Sequence, residues 1–332
     1  MPESPLHDAK GSEPGAARAG GATPPSARSI WIDLLVYPTH SLPTAAAPVI
    51  VGLGLAAHDG ILAPLPALVG FLGSWLIHVA GVFTDNHELL RLHPGLPEHP
   101  ELTHAVAEGT LRLSTLRAAI ATCLLLALLT APHLVQIGGA PVLALGAIGV
   151  AASLSYNGGA AYVRHGLADP VFFLMFGVVG VVGTYYIQAA SQPGAAAPWQ
   201  LLASLPLPVV LVGLPAGAIV TSVMLVDDIR DAEFDRTKGW RTGAVRRGVG
   251  WNRNEIALLV AFAYVAPIAF WLALGFDAWV LLPVASLPLA IRTVRAVRTV
   301  ERREDLVPVT PRMARLAVVH SALLAVGLAL SR

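Results

Sequence analysis

The chain of 332 residues is 55% apolar and 13% charged, with a mean hydropathy of +0.65; ordinary soluble domains carry about 25% charged residues, so the composition excludes a water-soluble globule. Lysine and arginine (22) nearly balance aspartate and glutamate (21), and a net charge of +1 gives no general attraction to nucleic acid. The single cysteine, Cys123, excludes a disulfide framework and a multi-cysteine metal site.

Residues 1–29 are built from Pro, Gly, Ala, Ser and scattered charges, and read as a disordered cytosolic tail without a signal-peptide core. From Ile30 onward, in a domain spanning 30–332, apolar runs of membrane-spanning length alternate with short polar loops. Spans are expected near 30–56, 62–84, 110–131, 140–156, 169–189, 206–226, 255–274, 278–297 and 313–330, an all-α polytopic membrane protein of about nine helices bundled around a central cavity. Basic residues test this count, because positively charged loops stay on the cytoplasmic side. With nine spans, every Lys and Arg except Arg332 falls on one face, which places the N-terminus in the cytoplasm of a cell with this chain in its inner membrane.

Two polar segments then stand out where an apolar helix meets that face. GVFTDNHELLRLHPG carries Asp85 and Glu88, and LVDDIRDAEFDRTKGWRTGAVRRG carries Asp227, Asp228, Asp231 and Asp235. On a helix, Asp228, Asp231 and Asp235 share one face over roughly 10 Å. A charged carboxylate at mid-membrane costs on the order of 3 kcal/mol, and clustered acids also repel. A divalent cation removes that repulsion, and an all-oxygen ligand set suits Mg²⁺. The interleaved Arg230, Lys238 and Arg241 are placed to meet phosphate oxygens, so acids and bases together fit a metal–diphosphate complex. His78 lies inside the second span and invites a polar cavity contact, whereas the spacing of His87, His93, His99 and His104 does not match a zinc site.

At these residues the sequence resembles the UbiA superfamily of intramembrane prenyltransferases, and within it the branch that acts on 1,4-dihydroxy-2-naphthoate in menaquinone synthesis. DDIRDAEFDRTKGWRTGAVRRG is similar to the second aspartate-rich motif, residues 154–188 to the stretch through span five, and SLPTAAAPVIVG to the opening helix. The first motif departs from the usual NDxxD, with Thr84 and Glu88 in place of Asn and Asp and with Leu92 and His93 near the usual third acid; Tyr37 stands where a basic residue is common. The resemblance implies a polyprenyl diphosphate held through Mg²⁺ by Asp85 and Glu88 on one side and Asp228, Asp231 and Asp235 on the other, with Arg230, Lys238 and Arg241 on the leaving group. Tyr156, Tyr162, Tyr185 and Tyr186 are expected to shield an allylic cation, and Arg164 and His165 to meet the naphthoate carboxylate. Another acceptor (a phenol, a porphyrin alcohol or a sugar phosphate), a member that has lost catalysis, and a transporter are the competing readings; a transporter expects its acids near the midplane rather than at one face.

Overall fold

The computed structural model describes residues 41–93 and 100–331; the tail and Tyr37 lie outside the described residues. The described residues form helices and loops without a strand. Seven helices are long and apolar enough to cross a membrane: α2 (Pro64–Leu92), α4 (Leu113–Gly138), α6 (Ala168–Ala190), α8 (Leu207–Thr237), α10 (Val249–Ala273), α11 (Ala278–Thr299) and α12 (Arg303–Leu330). The fourth expected span corresponds to a shorter apolar helix, α5 (Ala140–Leu154), and the described part of the first to α1 (Ser41–His58), the rest of 30–56 lying outside the described residues; length and composition support seven spans among the described residues. Short helices α3 (Pro100–Ala107), α7 (Pro198–Ala203) and α9 (Gly243–Arg247) fill the connections.

The most buried span is α8, and everything else is arranged around it. Its apolar stretch ends at Val226, yet the helix runs on to Thr237, eleven residues beyond the expected boundary at 226. Ion pairs one turn apart explain the extension: Arg230 Nη1 reaches Asp227 Oδ1 at 2.6 Å and Lys238 Nζ reaches Asp235 Oδ1 at 3.1 Å. Four acids therefore leave the apolar core on a continuous, rigid helix rather than in a solvated loop.

Glycines allow α6 to approach α8 at backbone contact. A Cβ at Gly217 would sit 2.6 Å from Gly177 Cα, and Gly177 belongs to a π-helical turn, Met175–Val179, inside α6. Such turns insert an extra residue and rotate the following face. Here Met175, Phe176, Val179, Gly180 and Gly183 all face the central cavity. The substitution Gly217→Val is expected to destabilise the protein by about 1–3 kcal/mol or more, because a branched side chain must displace backbone. Thermal unfolding of the detergent-purified chain checks this, with Gly70→Ala as the control, since a Cβ there meets open space.

Candidate active site

A single cavity of 770 Å³ runs through the bundle between α2, α4, α5, α6 and α8. Along α2 it extends from Pro66 to Asp85, about 28 Å at 1.5 Å per residue, close to the thickness of a hydrocarbon core. Its walls are mostly apolar. Its charged groups gather at one end, where Asp85 and Asn86 of α2 share the space with Asp227, Asp228, Arg230, Asp231 and Asp235 of α8 and with Lys238. The two acidic segments, some 140 residues apart in the chain, thus open onto one chamber.

The acids at that end fall into two groups. Asp231 is saturated: Arg230 binds both of its oxygens at 2.5–3.1 Å, and Arg303, at the start of α12, reaches Oδ1 at 3.1 and 3.2 Å. Asp227 pairs with Arg230 and accepts a 2.7 Å hydrogen bond from Thr310. Asp235 holds Lys238 and lies 3.4 Å from the Thr242 hydroxyl. Asp228 and Asp85 differ, because each keeps a buried carboxylate oxygen, Oδ2 and Oδ1 respectively, without any hydrogen-bond partner. Asp228 is only 3% exposed. A buried, unpaired carboxylate oxygen costs several kcal/mol unless a cation meets it.

In the structure the three carboxylates of the expected chelating stripe have different partners. Among the described residues no three His, Cys, Asp or Glu side chains converge on one ion position, because cationic side chains already hold Asp231 and Asp235. What remains open is one carboxylate on each side of the chamber. That donor set fits Mg²⁺, which takes one or two carboxylates and completes its octahedron with phosphate oxygens and water.

The loop between α5 and α6 closes this end of the chamber. Ala161 adopts a left-handed conformation (φ 44°) that starts a 3₁₀ turn, Tyr162–His165. The loop is fastened by the Arg241 N–H, which donates to the Val163 carbonyl at 3.1 Å. It delivers Tyr156 and Tyr162 to the chamber and buries Asn157 beside Asp85. Tyr156 is the hub of an aromatic shell. Its ring centroid lies 5.6 Å from Tyr162, 5.9 Å from Phe172 and 5.7 Å from Trp240, each edge to face, and Phe172 continues to Phe176 at 5.4 Å. Lys238 lies over Trp240, 4.2 Å from the ring centre. Burial, and then the carboxylates of Asp228, Asp85 and Asp235, push the Tyr156 hydroxyl well above its ordinary value, so it stays protonated as a neutral donor.

Several expected site residues lie elsewhere. Glu88 does not line the chamber; its carboxylate takes His87 Nδ1 at 2.9 Å and Arg91 Nη2 at 2.5 Å. The Tyr185 hydroxyl donates to Asp59 at 2.5 Å and that of Tyr186 to the Gly138 carbonyl at 2.5 Å, so both rings pack between helices outside the chamber. The exposed Arg241 contributes its backbone, and Arg164 and His165 stand outside the chamber wall. His78 does line the cavity, edge to face with Phe176 at 5.8 Å. Asn157, Phe172, Phe176, Trp240 and Arg303 were not singled out from sequence, although Asn157 and Trp240 lie inside the quoted motif runs; Arg303 carried no signal because its partner is 72 residues away.

Comparison with known proteins places the chain in a family. Residues 101–310 match the model of the UbiA prenyltransferase family. The chain belongs to that family. It is 30% identical over 283 residues to a protein of Mycobacterium tuberculosis named 1,4-dihydroxy-2-naphthoate octaprenyltransferase, covering 81% of this chain and 87% of that one. A protein of the same name from Escherichia coli is 25% identical over 309 residues, 91% of this chain and 96% of its own. Among solved structures, the apo form of a UbiA homologue from Aeropyrum pernix superposes with a TM-score of 0.63 at 17% identity, over 83% of this chain and 96% of that one. A UbiA homologue from Archaeoglobus fulgidus bound to GPP and Mg²⁺ superposes with a TM-score of 0.54 at 13% identity, over 89% and 99%. The chain is thus a multi-pass membrane prenyltransferase with the UbiA fold.

The division of the acids makes a direct prediction for this UbiA enzyme. Asp85→Asn or Asp228→Asn is expected to lower prenyl-transfer turnover by about 100-fold or more, as loss of a group that stabilises developing charge does. Glu88→Gln, which breaks a partly exposed ion pair, is expected to stay within about threefold of wild type. Steady-state kinetics with matched melting curves separates the two outcomes.

Proposed function

We propose that this enzyme transfers a polyprenyl group from polyprenyl diphosphate to 1,4-dihydroxy-2-naphthoate, using Mg²⁺, as a step of menaquinone biosynthesis in the inner membrane. The observation that carries the reading is the pair of unpartnered carboxylate oxygens, on Asp85 and Asp228, at the polar end of an apolar chamber long enough for an isoprenoid tail. The names of the relatives supply the acceptor. We place the acid-bearing end at the cytoplasmic face, in line with the basic residues of the loops around it.

Asp85 and Asp228 are the residues that hold the cation, with Asp231 and Asp235 behind them keeping Arg230 and Lys238 in position. When bound, Mg²⁺ withdraws negative charge from the diphosphate and so makes it a better leaving group. Lys238 and Arg230 line the same end and stabilise the charge that develops as the carbon–oxygen bond breaks. The tail lies along α2 and α5, where a Cβ at Gly70 or Gly146 would meet only open space. The rings of Tyr156, Tyr162, Phe172 and Phe176 face the allylic cation that ionisation leaves, and their walls exclude water that would capture it. An electron-rich ring carbon of the acceptor then forms the new carbon–carbon bond. With the naphthoate, its carboxylate leaves as CO₂, and the products are a demethylated, reduced menaquinone and diphosphate.

Purified protein supplied with a polyprenyl diphosphate and the naphthoate is expected to form the prenylated quinol with Mg²⁺ and to lose activity in excess EDTA. Product formed only with a phenol, an alcohol or a sugar phosphate would move the acceptor assignment, and transfer undiminished by chelator would remove the metal from the account. A second prediction follows from the aromatic shell. Tyr156→Phe is expected to retain most of the activity and Tyr156→Ala to lose at least about tenfold, with water-quenched polyprenol rising as a by-product.

A further inference from the structure

A second groove lies on the other side of α8 from the chamber, between α10 and α11. Its 510 Å³ is walled by Val260 and Tyr264 on α10 and by Ile291 and Val294 on α11, and at one end stand Arg295 and Arg298. Ile291, Val294, Arg295 and Arg298 are spaced three, four and seven apart, so they share one face of α11, which turns from apolar to cationic along its length. Both arginines are exposed, and among the described residues no carboxylate pairs with either side chain. The nearest acids in sequence are committed or turned to solvent: Glu255 holds Arg247 at 2.8 Å, Glu304 lies 3.6 Å from Arg302, and Glu301 is exposed. Arg253 adds a third guanidinium at the same end, where it donates to the Val300 carbonyl at 2.5 Å and keeps a buried Nε–H without a partner.

We infer that this groove is a binding site for one anionic phospholipid, with an acyl chain between α10 and α11 and the headgroup phosphate on Arg295 and Arg298. The charge pattern selects the occupant. Unpaired guanidiniums bind phosphate oxygens in a fork, and the described residues place no carboxylate at the groove mouth to favour the amine of a zwitterionic headgroup. The cationic end lies at the C-terminus of a membrane-spanning helix, where a lipid phosphate sits. None of these side chains lines the catalytic chamber, so the inference stands apart from the acceptor and metal assignments.

Native mass spectrometry of the full-length protein in detergent, titrated separately with dioleoyl phosphatidylglycerol and dioleoyl phosphatidylcholine, tests it. Retention of one phosphatidylglycerol at concentrations where phosphatidylcholine is stripped is expected. The double variant Arg295→Gln/Arg298→Gln is expected to weaken that retention at least about tenfold, at roughly fivefold per cationic side chain. Arg295→Lys/Arg298→Lys, which keeps the charges and loses the fork, is expected to fall between wild type and the glutamine variant, and Val294→Trp, which fills the groove, to reduce retention with both charges intact. Prenyl transfer in detergent serves as the folding control and is expected to be unchanged in all three. Equal retention of the two lipids, displacement of the bound lipid by inorganic pyrophosphate with no loss in Val294→Trp, or wild-type binding by the glutamine variant would each overturn the site.

Discussion

The structure depends on the pairing, across one cavity, of two carboxylates that protein cations leave unsatisfied. Asp85 and Asp228 arrive from helices far apart in the chain; both line the same chamber, and each keeps one buried oxygen without a hydrogen-bond partner. In a bilayer boundary that arrangement is unfavourable by several kcal/mol per ion unless another charge completes it. The surrounding residues show that the imbalance is local: Asp227, Asp231 and Asp235 are each held by a guanidinium, an ammonium or a hydroxyl. A chamber that neutralises three acids and leaves an unpartnered oxygen on each of two others fits the cation site proposed for it.

That site requires a rigid frame. The all-round apolar character of α8 buries it in the bundle centre, and its helical continuation past Val226 carries the acids out of the core in fixed register. Close packing at Gly177 and Gly217 brings α6 against it, and the π-helical turn at Met175–Val179 presents Phe176 to the chamber. The loop at 155–167, fastened through the Val163 carbonyl, adds Tyr156 and Tyr162. Charge, aromatic shielding and an apolar tail channel are thus placed in sequence along one cavity, which is the order in which a prenyl diphosphate presents its own parts.

Much of this was legible in the sequence, and the failures have physical reasons. Hydropathy located the long spans because a membrane-crossing helix needs only local composition. It also marked α5, which at 15 residues is shorter than a full span, and α1, whose described part begins at Ser41. The acids of α8 were legible from their helical spacing, but their division was not: whether Asp231 chelates or is neutralised depends on Arg303, which folding brings from the start of α12. Glu88 stands where the family pattern has Asp, yet its carboxylate lies outside the chamber lining with Arg91 one turn away. Tyr185 and Tyr186 looked like cavity aromatics because a hydroxylated ring in an apolar helix has few partners visible in sequence; Asp59 and the Gly138 carbonyl are such partners. The aromatic shell around Tyr156 was half visible, since its tyrosines were identified while Phe172, Phe176 and Trp240 passed as ordinary apolar residues.

The central claim is that Asp85 and Asp228 jointly bind one cation–diphosphate complex. It is tested most directly by an experimental structure with Mn²⁺ and a non-hydrolysable polyprenyl thiolodiphosphate, in which anomalous scattering locates the metal. The account predicts metal density in the chamber within coordination distance of both carboxylates, with the prenyl chain running along α2 toward Pro66. Metal and diphosphate seated outside the chamber, on Glu88 or the exposed loops, with Asp85 and Asp228 unchanged, would contradict it.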